Sequence, residues 1–190
     1  MKKIFDLTKD GWDSEFIYAF SPVTKERKTF PQAEDGRITV GFNENINDYD
    51  YISVVTKEKY TKGCRATLKC SFDKKGAPLI VFTDDITEDS VYALHFEAVA
   101  YEGGYNVWHI LPFPERTERP IKPTKILFEQ FSIPNNKEIE LSVTFGDKSI
   151  EVELEGVKSS VTCEDFPESF HVGFTACEGI CNFTEFSLEY

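Results

Sequence analysis

The stretch IELSVTFGDKSIEVEL, residues 139–154, alternates apolar and polar side chains on both sides of a Gly-Asp pair. Successive side chains of a strand leave on opposite faces, so period two over this length fits a half-buried β-strand. Taking Gly146-Asp147 as a two-residue turn pairs Phe145 with Lys148, Val143 with Ile150, Leu141 with Val152 and Ile139 with Leu154. One face is then continuously apolar, while Glu138, Glu140, Ser142, Thr144, Glu151 and Glu153 collect on the other. A hairpin of this kind belongs to an antiparallel sheet with one side in a core and an acidic side in water.

The same rhythm, punctuated by turn residues, runs along the whole chain, and few windows read as helix. Strands are expected over 4–7, 16–20, 37–41, 51–56, 64–72, 77–83, 90–101, 105–112, 125–132, 138–145, 149–155, 170–176 and 181–190. A single open sheet of that width would curl or split, so the expected architecture is a two-sheet antiparallel β-sandwich. Phe is used 17 times and Met once, which suits pleated, half-buried strands. At 190 residues a sandwich is expected to form one domain over 1–190, with enough core to need neither disulfide nor metal.

The net charge is −12, from 33 acidic and 21 basic side chains. Such a surface repels the phosphate backbone unless a basic stripe intervenes, and the densest basic run, Lys25-Glu26-Arg27-Lys28, is short and interrupted. Nucleic acid and anionic membrane are therefore not expected partners. Behind the opening MKKIFDLTKDGW there is no apolar run of signal-peptide length, and no stretch approaches the ~20 apolar residues of a membrane span. Five cysteines in spacings other than CxxC read as small buried hydrophobes in a reducing, cytoplasmic setting, with metal ligation the other reading.

The hairpin LHFEAVAYEGGYNVWHIL, residues 94–111, departs from the simple pattern. With Gly103-Gly104 as its turn, Tyr101 pairs with Asn106, Val99 with Trp108 and Glu97 with Ile110. Phe96, Ala98, Ala100 and Val107 form a core face on which His109 is the one polar member. The other face holds His95, Glu97, Val99, Tyr101, Asn106, Trp108 and Ile110, too polar for a core and too apolar for an ordinary wet surface. Such a mixture fits the hollow side of a bent sheet that receives a sugar. Trp108 would stack on the C–H face of the ring, and Glu97, Asn106, His95 and Tyr101 would meet its hydroxyls. The alternative leaves Trp108 beneath a loop and Glu97 paired with His95 as local support. The connection LPFPERTERPIKPTK that follows carries prolines 112, 114, 120 and 123 and reads as a long loop. It would either wall the groove, with Arg116 or Arg119 reaching inward, or run over the surface.

The closing stretch HVGFTACEGICNFTEFSLEY, with Gly173, Gly179, Phe183, Phe186 and Leu188, resembles the last two strands of concanavalin A-like lectin/glucanase jelly rolls. The hairpin ending in Asn106-Val107-Trp108 is similar to their concave-sheet strands. The resemblance implies a jelly-roll sandwich and a sugar ligand, an oligosaccharide or sugar conjugate. It does not imply one activity, because the Glu-x-Asp-x-(x)-Glu string of the retaining glucanases is missing. Lectin-like carbohydrate binding is the leading expectation. A glycoside hydrolase or other sugar-processing enzyme with Glu97 as acid or base comes second, and an assembly surface for protein third. The resemblance also raises a structural calcium ion, for which the loop residues Asp84, Asp85 and Asp89 are candidate ligands. An Asp-rich turn is the competing reading, and no other cofactor is expected.

Overall fold

A computed structural model describes residues 1–20, 31–34, 37–40, 52–73, 76–84, 95–112, 121–164, 166–176 and 179–190. The strands among them are β1 (Lys2–Asp6), β2 (Phe16–Phe20), β3 (Pro31–Glu34), β4 (Arg37–Val40), β5 (Ile52–Thr56), β6 (Tyr60–Thr61), β7 (Arg65–Phe72) and β8 (Pro78–Thr83). They continue with β9 (His95–Tyr101), β10 (Gly104–Pro112), β11 (Ile121–Gln130), β12 (Ile139–Phe145), β13 (Ser149–Leu154), β14 (Val157–Thr162), β15 (Ser169–Ala176) and β16 (Cys181–Glu189). One sheet runs β14-β13-β12-β7-β16-β4-β3 with β1 on β16, and the second runs β11-β10-β9-β8-β15-β5-β2 with β6 on β15. The expected two-sheet antiparallel sandwich is what the chain forms.

The core lies between the sheets and is built by alternation. Along β7, Ala66, Leu68, Cys70 and Phe72 turn inward and are buried while their neighbours are half-exposed. Opposite them β15 contributes Phe170, Val172 and Phe174. Phe82 on β8 sits among rings from both sheets: Phe96 stacks on it at 4.8 Å, and Phe145, Phe166 and Phe170 meet it at 4.6, 5.2 and 6.0 Å. The Tyr105 hydroxyl, which enters the core, donates to the Val152 carbonyl at 3.4 Å.

Both hairpins keep the faces read from the sequence but not the register. The β12–β13 ladder pairs Phe145 with Ile150 and Leu141 with Leu154, and the Gly146 N–H donates to the Ser149 carbonyl. The turn is therefore Asp147-Lys148, one residue later than expected. The acidic side faces out as expected, yet it is laced: Arg65 pairs with Glu153 at 3.0 Å, Lys158 with Glu151 at 2.8 Å and Lys69 with Glu185 at 3.1 Å. Ser142 is the exception there, buried against the Thr67 hydroxyl at 2.9 Å.

Three strands escaped the sequence pattern: β3, β6 and the edge strand β14. In β14, VKSSVT, the inward positions Val157, Ser159 and Val161 are only half-buried, so its apolar signal is weak. The proline-rich connection is also shorter than expected, because β11 starts at Ile121 and takes Pro123 into the sheet opposite Ile110. That is tolerated because β11 is an edge, where a residue without an N–H can sit with that side unbonded. Arg116 and Arg119 lie outside the described residues.

Cys64, Cys70, Cys163 and Cys181 are buried, and Cys177 is outside the described residues. Burial pushes the Cys64 thiol up to about 12 and raises Cys70 and Cys181 well above the ordinary thiol value. Since the thiolate is the nucleophile, these groups should be inert in the folded chain. Iodoacetamide in mildly alkaline buffer is expected to leave Cys64, Cys70 and Cys181 unmodified by peptide mapping and to alkylate all three in guanidinium. Rapid alkylation without denaturant would contradict this packing.

Candidate functional site

The site is built on the face of the second sheet that turns away from the core. In β9–β10, Tyr101 pairs with Gly104, Val99 with Asn106, Glu97 with Trp108 and His95 with Ile110. The turn is thus Glu102-Gly103, one residue earlier than expected, and Trp108 faces Glu97 rather than Val99. The second glycine serves another purpose. Gly104 has φ +128°, and a Cβ there would fall 2.0 Å from the Glu129 carbonyl of β11, so glycine lets the edge strand approach.

Cross-strand pairing continues this row across seven strands: Ile17, Val55, Gly173, Val81, Glu97, Trp108 and Lys125 are successive partners. The next row holds Thr175, Leu79, Val99, Asn106 and Phe128. On the other side runs His171, Thr83, His95, Ile110 and Pro123. The face is graded. Val55, Leu79 and Val81 are fully buried and cluster with Ala77 and Val99, against which Ile17 and Trp108 pack. Toward β10 and β11, Trp108 and Tyr101 are half-buried, Lys125 is exposed, and Phe128 is 44% exposed.

A β-bulge shapes the exposed end. The β10–β11 register shifts between Val107 and Trp108, leaving Ile126 without a partner. The extra residue reverses the alternation along β11, so Lys125 and Phe128 share one face. The Lys125 ammonium lies over both rings, 4.9 Å from the Trp108 centroid and 5.0 Å from that of Phe128. Trp108 is therefore not the bare platform expected: a cation worth roughly 0.5–1 kcal/mol already covers one face of the indole. Asn106, one row away, is 8% exposed, and its Oδ1 has no hydrogen-bond partner among the described residues. A buried acceptor left unpaired costs about 1–3 kcal/mol, so this face carries an unmet polar demand.

The remaining candidates are placed as follows. Tyr101 leans over the turn, its ring against Gly103, and burial raises its hydroxyl above the usual tyrosine value. Four residues along the strand separate its row from that of Trp108, roughly 13 Å. Glu97 and His95 belong to the face by register, and their side chains lie outside the description. His109 sits on the core side, stacked on Phe96 at 4.3 Å, and His171 Nδ1 is 2.8 Å from the Thr56 carbonyl. Among the described residues no three His, Cys, Asp or Glu converge as metal ligands. Asp85 and Asp89 are outside the description, and the Asp84 carbonyl accepts from Lys59 Nζ at 2.6 Å.

Sequence reasoning missed Lys125 and Phe128. Strict alternation separates the two, and a bulge inside a strand leaves no compositional mark of its own.

No family model matches the chain, and no curated protein matches it. Solved structures do. A protein of unknown function with a galectin-like fold from Bacillus subtilis superposes with a TM-score of 0.60 at 10% identity, covering 100% of this chain and 98% of its own. The carbohydrate-binding module CBM66 from Bacillus subtilis gives 0.56 at 10% identity over 88% and 91%. LamA from Z. galactanivorans, in complex with laminaritriose and laminaritetraose, gives 0.58 at 8% identity over 99% and 97%. Among the described residues no helix is long and apolar enough to cross a membrane. With two antiparallel sheets in this order and these superpositions over nearly the whole chain, the protein has the concanavalin A-like jelly-roll fold, without the sequence signature of any one family in it.

Proposed function

We propose that the protein binds carbohydrate on the outer face of β9–β11. The observation that carries this is the half-buried Trp108 flanked in one row by Glu97 and Lys125, with the unpaired Asn106 acceptor in the next row. An indole beside hydrogen-bonding groups matches a sugar ring, apolar on its C–H face and polar at its rim. Structural neighbours that include a carbohydrate-binding module and a protein in complex with laminaritriose and laminaritetraose support the reading.

The test is retention on immobilised polysaccharides in affinity electrophoresis. Trp108→Ala and Phe128→Ala should each lower retention at least tenfold. Phe128 is 44% exposed and lies on an edge strand, so its variant should stay close to the wild-type unfolding midpoint and separate lost binding from lost folding. Equal retention of both variants would remove the sugar from this face.

Sugar processing is a second reading, favoured by the register that sets Glu97 directly opposite Trp108. A retaining mechanism needs a second carboxylate about 5–5.5 Å away. Among the described strand positions on this face Glu97 is the one acidic residue. Release of reducing ends by the wild type, lost in Glu97→Gln with binding kept, would establish this reading over simple binding.

A further inference from the structure

We propose that the sugar taken by this face is acidic, bearing a carboxylate or sulfate ester, and that Lys125 is its counter-charge. This rests on the carbohydrate reading above and narrows its ligand class.

With 33 acidic against 21 basic side chains, carboxylates are plentiful, and the described lysines and arginine of the first sheet's outer face take them. Lys2 meets Glu189 at 3.1 Å, Arg65 meets Glu153 at 3.0 Å, Lys69 meets Glu185 at 3.1 Å and Lys158 meets Glu151 at 2.8 Å. Lys125 differs. Its ammonium is held over two aromatic rings, and no described carboxylate pairs with it. The rings fix the position of the charge without neutralising it, which leaves a preorganised cation facing solvent.

Lys125 also stands in the right company. Phe128, one of the two rings beneath it, is the direct cross-strand partner of Asn106, which is more than nine-tenths buried with its Oδ1 unpaired among the described residues. Trp108, the other ring, lies in the Lys125 row. Cation, two apolar surfaces and one hydroxyl acceptor thus occupy adjoining positions on two strands. A neutral sugar would use the rings and the acceptor but leave the ammonium without a partner. An acidic sugar would use all four, its anion at Lys125, its ring against the aromatics and a hydroxyl donating to Asn106. The overall charge of −12 does not forbid this, because at physiological salt charges farther than about 8 Å are largely screened.

The experiment uses matched pairs of immobilised polysaccharides in affinity electrophoresis: polygalacturonate with its methyl ester, and carrageenan with desulfated carrageenan. The expected result is at least tenfold stronger retention on the acidic member of one or both pairs, falling as sodium chloride rises. Lys125→Gln should erase that difference and Lys125→Arg should preserve it. Preference within the first pair identifies a carboxylate, and within the second a sulfate. If neutral members are retained equally, or Lys125→Gln strengthens their binding, the ammonium merely caps the indole. The inference then falls while the carbohydrate reading stands. Retention on none of these matrices, with none on neutral glucans either, overturns both.

Discussion

Replacing Gly173 with alanine is expected to destabilise the protein by about 3 kcal/mol or more, as overpacking against rigid backbone does at its upper end. A Cβ at this position would lie 1.7 Å from the Val54 carbonyl oxygen and 2.6 Å from the Val55 Cα. Both atoms belong to the backbone of β5, so no rotamer change relieves the overlap. β15 can yield only by parting from β5, and it is an interior strand bonded to β8 on its other side. With m near 2 kcal/mol/M, the urea midpoint should drop by ~1.5 M. A drop below about 0.3 M would mean that the two strands are not so close.

The second large effect is expected at Phe82. Its ring is fully buried and touches Phe96, Phe145, Phe166 and Phe170, so it joins the two sheets. Phe82→Ala should cost about 3–5 kcal/mol in urea or thermal unfolding, the transfer and cavity contributions together. Against a total of roughly 5–15 kcal/mol for a natural domain, this takes the protein close to its threshold. Phe82→Leu keeps most of the volume and should cost less than half as much. A small effect of the alanine variant would show that the cluster closes over the gap.

These sites show what a reader of the sequence can and cannot extract. In both hairpins the turn was placed one residue from its true position, yet the paired strand positions keep the faces assigned to them. Moving a two-residue turn by one slides the pairing by two, and two is the period of the strand. Faces are therefore robust to the error that registers are not. Gly104 misled because a Gly-Gly pair suggests a turn, whereas the second glycine makes room for the carbonyl of Glu129. Trp108, Asn106 and Glu97 were legible as members of one face because they lie on strands of regular alternation. Lys125 and Phe128 were not, because the bulge opposite Trp108 changes the parity of β11 partway along. The edge strand β14 stayed hidden for a simpler reason: a strand at the rim buries too little to advertise itself.

Pro123 on β11 has a consequence for how copies of this chain meet. The exposed hem of a sheet can act as a zipper, each unused amide inviting a stranger's carbonyl, and fibrils lengthen by repeating that invitation. Here one tooth is missing by covalent structure, since the ring nitrogen carries no hydrogen to offer. A foreign strand laid along this hem would lose its grip at that point, and the sandwich ends where its own sequence stops it.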